Sequence, residues 1–152
     1  MLKPLEQWFC DKCGDVIESP DDGYVEWIGD GGYHVFGFKI IHSGGRCHHY
    51  AAHPELSDSP LRDFLGTEGV IQMLRWLDAG PQHDTNYKGP HVPAEHMREF
   101  VEVFRRLHVE HYEEARKYHK AAKRAGELID MNEVYIYLPS TNKRIIEQYA
   151  DD

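Results

Sequence analysis

Apolar and polar positions alternate early in the chain and recur every three or four residues later, so strands followed by helices are predicted. Tyr24-Val25-Glu26-Trp27-Ile28 is rich in aromatic and β-branched types and reads as a strand. Gly29-Asp30-Gly31-Gly32 is a strong hairpin signal, and Tyr33 to Ile41 reads as the returning strand. Phe36, Phe38 and Ile40 share one parity and face one side of that sheet, and His42 continues the same parity at the strand end. Ser59-Pro60 resembles a helix N-cap followed by proline, opening one short turn through Phe64. Thr67 then caps a helix whose Val70, Ile71, Leu74 and Leu77 recur at helical spacing, with Gly80 and Pro81 ending it.

Residues 81–92, with their prolines, Asn86 and Gly89, form a predicted loop between two halves. Pro93 opens the longest helical pattern. Met97, Val101, Phe104, His108, His111, Ala115, Tyr118 and Ala122 mark one face, with a break expected near His108-Val109 and Gly126 closing the second part. Val134 to Leu138 reads as a strand. Ser140 or Thr141 caps a final helix carrying Ile145, Ile146 and Tyr149. The expected fold class is α+β, with a zinc-bound β-hairpin module over residues 1–56. A mainly helical part with a short C-terminal strand and helix follows over residues 57–152.

The candidate chemistry begins at Trp8-Phe9-Cys10-Asp11-Lys12-Cys13-Gly14. A turn two residues wide directs both sulfurs to one place, and Gly14 admits the positive φ such a turn needs. Cys47 is the third cysteine. An odd count leaves one thiol outside any disulfide framework. A Cys-x-x-Cys pair in a reducing compartment points to metal or redox chemistry. A thioredoxin-like pair opens a helix after a strand, which Gly14 and the following hairpin do not supply. Structural zinc takes four thiolate or imidazole ligands in a tetrahedron, and Cys10, Cys13 and Cys47 provide three. The fourth is His42, His48, His49 or His53. His42 is favoured, because it ends the second strand on the inward parity and the Ser43-Gly44-Gly45 turn brings Cys47 back beside it. His48 and His49 adjoin Cys47, which makes joint ligation awkward. The expected set is therefore Cys10, Cys13, His42 and Cys47, and loss of the metal is expected to unfold at least residues 8–50.

Cys10-Asp11-Lys12-Cys13-Gly14 resembles the knuckle of zinc ribbons and related zinc fingers. The resemblance covers at most the first third of the chain. It implies a bound metal, and it does not specify a function.

Other residue groups carry weaker chemical signals. The histidines at 48, 49 and 53 would suit a second, catalytic metal, but the asparagine and helical histidine of such nucleases are missing: no asparagine precedes Asn86, and no histidine lies between His53 and His83. His108 and His111, three apart, and His119 read as partly buried hydrogen-bonding side chains. Residues 105–124 hold seven Lys/Arg and three Glu, a net of +4. One reading is a helix-turn-helix with Tyr112 to Lys123 in a DNA groove, and the simpler one is a solvated face with internal ion pairs. The net charge of −9 disfavours nucleic acid as a partner.

Met1-Leu2-Lys3-Pro4-Leu5-Glu6 lacks an apolar signal core, and no apolar run reaches the roughly 20 residues of a membrane helix. A cytoplasmic location without membrane contact is expected. The function expected is that of a zinc-binding regulatory or protein-interaction module rather than an enzyme, with a protein as partner. A nucleic-acid-binding regulator and a metal-dependent hydrolase are the alternatives.

Overall fold

The computed structural model describes residues 1–29, 34–78 and 92–150. The Asp30-Gly31-Gly32 turn, Tyr33 and the predicted loop up to His91 lie outside these residues. The fold is α+β, as the sequence predicts. Two short strands, β1 (Trp8–Phe9) and β2 (Val16–Ile17), pair antiparallel with Trp8 opposite Ile17. They form the arms of the Cys10–Gly14 turn. A three-stranded antiparallel sheet follows, with β3 (Gly23–Gly29) between β4 (Val35–His42) and β5 (Leu56–Pro60).

The strand β5 was not expected. Leu56-Ser57-Asp58-Ser59-Pro60 is polar and reads as a helix approach, yet it pairs with β3 from Tyr24↔Pro60 to Ile28↔Leu56. Ser59 is therefore a strand residue and not an N-cap. The short turn does form, as a 3-10 helix over Leu61–Phe64. An edge strand needs only main-chain pairing and one covered face, so its side chains carry little signal.

The opposite edge, β4, is closed by unrelated parts of the chain. Asp11 donates its amide to the Ile40 carbonyl (2.8 Å) and accepts the Ile40 amide on Oδ2 (2.7 Å). The Gly37 amide donates to Glu99 (2.8 Å) and the Val35 amide to the Pro93 carbonyl (2.8 Å). Gly37 has φ +70°, and a Cβ there would come within 2.7 Å of the Tyr50 hydroxyl.

The main core lies on the face of the sheet carrying Val25, Trp27, Phe38 and Ile40. Phe64, Trp76 and Phe100 pack there edge-on or stacked against one another. The helices α1 (Gly66–Leu74) and α2 (Met97–His108) cover it. Both turn a different stripe inward from the one predicted. In α1 the buried positions are Gly69 and Met73, continuing to Trp76, while Ile71 and Leu74 are exposed. Gly69 sets this rotation: a Cβ there would sit 2.0 Å from the Phe64 carbonyl carbon, so the helix meets the chain at its glycine. In α2 the buried stripe is Phe100, Val103, Arg106 and Leu107, and Met97 is half exposed. Leu65, with no side-chain cap, precedes α1 where Thr67 was expected.

The long helical pattern breaks after His108, as expected, and resumes as α3 (Tyr112–Ala115) and α4 (His119–Arg124). His111 takes φ +64° at the junction. His108 and His111 therefore do not share a helix face. The predicted strand Val134–Leu138 is absent: Tyr135–Tyr137 form a 3-10 turn. The Asn132 side chain accepts the amides of Val134 and Tyr135 (both 3.0 Å), fixing a turn that β-propensity does not reveal. The last helix, α5 (Pro139–Tyr149), starts with proline in its first turn, one position before the expected caps. Ile145 and Ile146 pack with Ala115 and Ala122 in a second, smaller core.

Arg106 joins these parts. Its guanidinium is 4% exposed and donates to Glu113 (2.6 and 3.0 Å), Asp11 (2.7 Å) and the Phe9 carbonyl (3.2 Å). Glu113 also accepts the Phe9 amide (3.0 Å), and the Trp8 indole donates to the Arg106 carbonyl (3.0 Å). Burial works against the charge on Arg106, but the adjacent carboxylates outweigh it and hold the group protonated. Arg106→Met is expected to lower stability by about 3–5 kcal/mol, since it removes the buried cation that pairs with both Glu113 and Asp11. Urea unfolding at neutral pH measures this, and a loss under about 1 kcal/mol would equate the network with a surface ion pair.

Candidate metal centre

The two-residue arms of β1 and β2 hold the Cys10–Gly14 turn closed. The Cys10 amide donates to the Asp15 carbonyl and the Gly14 amide to the Cys10 carbonyl (both 2.9 Å), with Gly14 at φ +84°. Asp11 docks this turn on the edge of β4, two residues from His42 at the strand end. Gly44 and Gly45, both at positive φ, then return the chain to Cys47.

Four donor atoms converge. Those of Cys10, Cys13, His42 and Cys47 all lie within 4.8 Å of one another. His42 Nδ1 is 3.5 Å from Cys13 Sγ and 3.9 Å from Cys47 Sγ. A tetrahedron with Zn–S ≈ 2.3 Å and Zn–N ≈ 2.0 Å has sulfur–nitrogen edges of about 3.5 Å. The cluster is therefore at ligand spacing. Its histidine is also in the right tautomer. His42 Nε2 lies 3.2 Å from the Val16 carbonyl, which can only accept, so Nε2 carries the proton. The Nδ1 lone pair of the neutral ring then faces the sulfurs, with its partner on the far side fixing the ring plane.

Burial differs around the cluster: Cys10 is buried, Cys47 and His42 are intermediate, and Cys13 is exposed. A cavity of about 500 Å³ opens beside Cys13, His42 and Cys47, with Asp15, Glu18 and Arg46 on its wall.

The electrostatics follow from crowding three thiols. Burial pushes the Cys10 thiol up. Hydrogen bonds from the amides of Cys13, His42 and Lys12 outweigh it, bringing the group from 9.0 down to about 6. Cys47 moves oppositely, from 9.0 to about 11, through burial and then through hydrogen bonding and repulsion from Cys10 and Cys13. The protein readily makes the first thiolate and resists the last. A central dication removes that resistance, because its charge favours every thiolate around it. Soft sulfur donors, one neutral imidazole and this spacing suit a zinc-like ion.

The other candidate ligands point elsewhere. His48 Nδ1 donates to Glu26 (2.8 Å), His49 Nε2 to the Asp11 carbonyl (2.9 Å), and His53 Nδ1 accepts the Glu55 amide (3.1 Å). His119 Nε2 bonds to Asn142 (3.3 Å), while His108 Nε2 and His111 Nδ1 are buried without hydrogen-bond partners. Among the described residues, no second group of three or more His, Cys, Asp or Glu gathers at ligand spacing.

The first part of the basic segment is engaged within the protein, while Lys120, Lys123 and Arg124 are exposed. Besides buried Arg106, the Arg105 guanidinium stacks on Tyr137 (3.5 Å), Arg116 pairs with Glu113 (3.0 Å) and Lys117 sits over Phe9 (3.0 Å). Tyr112 to Lys123 does not form one continuous helix. The supporting residues Glu26, Asp11 and Arg106 were not singled out as part of the site. Glu26 had a sequence signal, as the one charge inside Tyr24–Ile28. Among the described residues no helix is long and apolar enough to cross a membrane.

The chain matches no protein-family model, no curated protein and no solved structure.

In the metal-free protein, thiolate absorbance is expected to rise in well-separated steps, the first near pH 6 from Cys10 and the last near pH 11 from Cys47. A Cys10 value below that of the unfolded chain stabilises the fold above about pH 9 and loses that contribution as pH falls through 6. One unresolved rise near pH 9 in an ultraviolet titration would contradict the arrangement.

Proposed function

We propose that this protein holds one structural zinc ion through Cys10, Cys13, His42 and Cys47. On this reading it is a zinc-ribbon-like interaction module and not an enzyme. The observation that carries the reading is the convergence of three sulfurs and an imidazole nitrogen within 4.8 Å. Four protein donors fill a tetrahedral zinc and leave no position for a reacting water. The ion would supply cross-linking between β1, β4 and the Cys47 loop. The partner would be a protein, and Asp15, Glu18 and Asp22 beside the site favour one with a basic surface. The net charge of −9 argues against a nucleic-acid partner, and the engagement of Arg105, Arg106 and Arg116 within the fold leaves Lys117, Lys120, Lys123 and Arg124 as the exposed cations of the basic segment.

Purified protein is expected to carry one zinc per chain by elemental analysis. Cys10→Ser should abolish retention, and His42→Ala should weaken it far more than His48→Ala. Full zinc retention by Cys10→Ser would end the proposal.

Chelation is expected to have a narrower effect than the sequence alone suggests. The sheet β3–β4–β5 shares its core with α1 and α2, so hydrogen exchange should accelerate in residues 10–15 and 43–47 and stay slow in β3. Global loss of protection would show that the metal holds the whole fold.

A further inference from the structure

Glu26 sits in the central strand and is 0% exposed. Strand alternation places it on the face away from Val25 and Trp27, opposite Lys39 on β4 and Asp58 on β5. A carboxylate so placed has lost its water and must be satisfied by the protein. Both oxygens are used by two consecutive residues of one loop. Oε2 accepts His48 Nδ1 (2.8 Å), and Oε1 accepts the His49 amide (2.7 Å). The His48 ring extends toward Asp58, with Nε2 3.9 Å from Oδ2. The His49 ring reaches the other way and donates to the Asp11 carbonyl (2.9 Å), next to Cys10.

These bonds begin one residue after Cys47. On its other side, Cys47 follows Arg46 and the Gly44-Gly45 pair, whose backbone has little intrinsic preference. One end of the Cys47 segment is therefore weakly constrained, and the other is clamped to the middle of the sheet.

The geometry points to Glu26 as a positioning residue of the metal centre. It anchors the His48-His49 pair so that Cys47 stands at ligand distance before any ion arrives. His48 and His49 are then anchors of the third thiolate and not competing ligands. A loop ordered beforehand does not have to lose its conformational freedom on binding, so the clamp raises metal affinity without touching the metal. This inference rests on the zinc reading above.

The test compares zinc affinity with metal-free stability in the full chain. Affinity is read by competition with a chromophoric chelator, stability by urea unfolding of the metal-free protein, and geometry by the thiolate-to-cobalt bands of the Co²⁺-loaded protein. Glu26→Gln is expected to weaken zinc binding by about 10–100-fold and to broaden the cobalt bands. His48→Ala, which removes one clamp from the solvent side, should weaken binding less and serves where Glu26→Gln does not fold. Added to Glu26→Gln, it should cost little more, because both act on the same clamp. Ile145→Ala, in the second core apart from the one that holds Cys10, should lower the unfolding midpoint and leave zinc affinity within about twofold. If Glu26→Gln and His48→Ala behave like Ile145→Ala, destabilising the fold with zinc affinity and cobalt spectrum intact, Glu26 only secures the loop and the inference is overturned. A wild-type chain that takes up neither Zn²⁺ nor Co²⁺ refutes the zinc reading itself, which separates the two failures.

Discussion

The buried guanidinium of Arg106 is the interaction on which the arrangement depends. Its planar set of donors reaches two parts of the chain that share no local sequence, Phe9 and Asp11 in the Cys-x-x-Cys region and Glu113 in α3, while its own backbone carbonyl accepts the indole of Trp8. An ammonium could not do this, because it lacks a rigid fork that meets two carboxylates and a carbonyl at fixed angles. Asp11 then passes the constraint to the sheet, accepting the Ile40 amide on the same oxygen that faces Arg106. The position of Cys10 and Cys13 against β4 follows from that chain of bonds.

A second carboxylate, Glu26, does the equivalent work for the other side of the cluster. The two anchors meet at Asp11, whose side chain belongs to the Arg106 network and whose carbonyl accepts His49. The four candidate ligands are thus suspended between two buried polar systems, one on the helical side and one within the sheet. Buried polar groups specify a geometry because any displacement leaves a donor or acceptor unpaired. That is why a cluster with only one fully buried member, Cys10, still converges to ligand spacing.

The candidate ligands were legible in the sequence because metal chemistry admits few residue types and short spacings. Cys10-x-x-Cys13 stated half of the site, and strand parity selected His42 from four histidines. The helix phases were not legible. In both α1 and α2 the apolar spacing is real, yet the buried stripe lies one position N-terminal to the one it suggests. In α1 a glycine contact sets the rotation, and in α2 an arginine facing inward does so. Neither carries a large apolar side chain, so neither registers in a hydrophobic pattern. Val134–Leu138 failed for a related reason: its β-branched and aromatic residues favour a strand, but a strand needs a free edge, and the Asn132 side chain claims the amides first.

The sequence by itself determined the α+β class, the β3–β4 pairing, the break after His108 and the identity of the candidate ligands. Each is written in local spacing or in the chemistry of rare side chains. Only the tertiary structure decided that His48 and His49 are held away from the cluster, that Arg106 of the basic run is buried while Lys120, Lys123 and Arg124 stay exposed, and that polar Leu56–Pro60 completes the sheet. These outcomes depend on which charges and backbone edges meet across long stretches of chain, and a carboxylate such as Glu26 acquires its role only when folding removes its water.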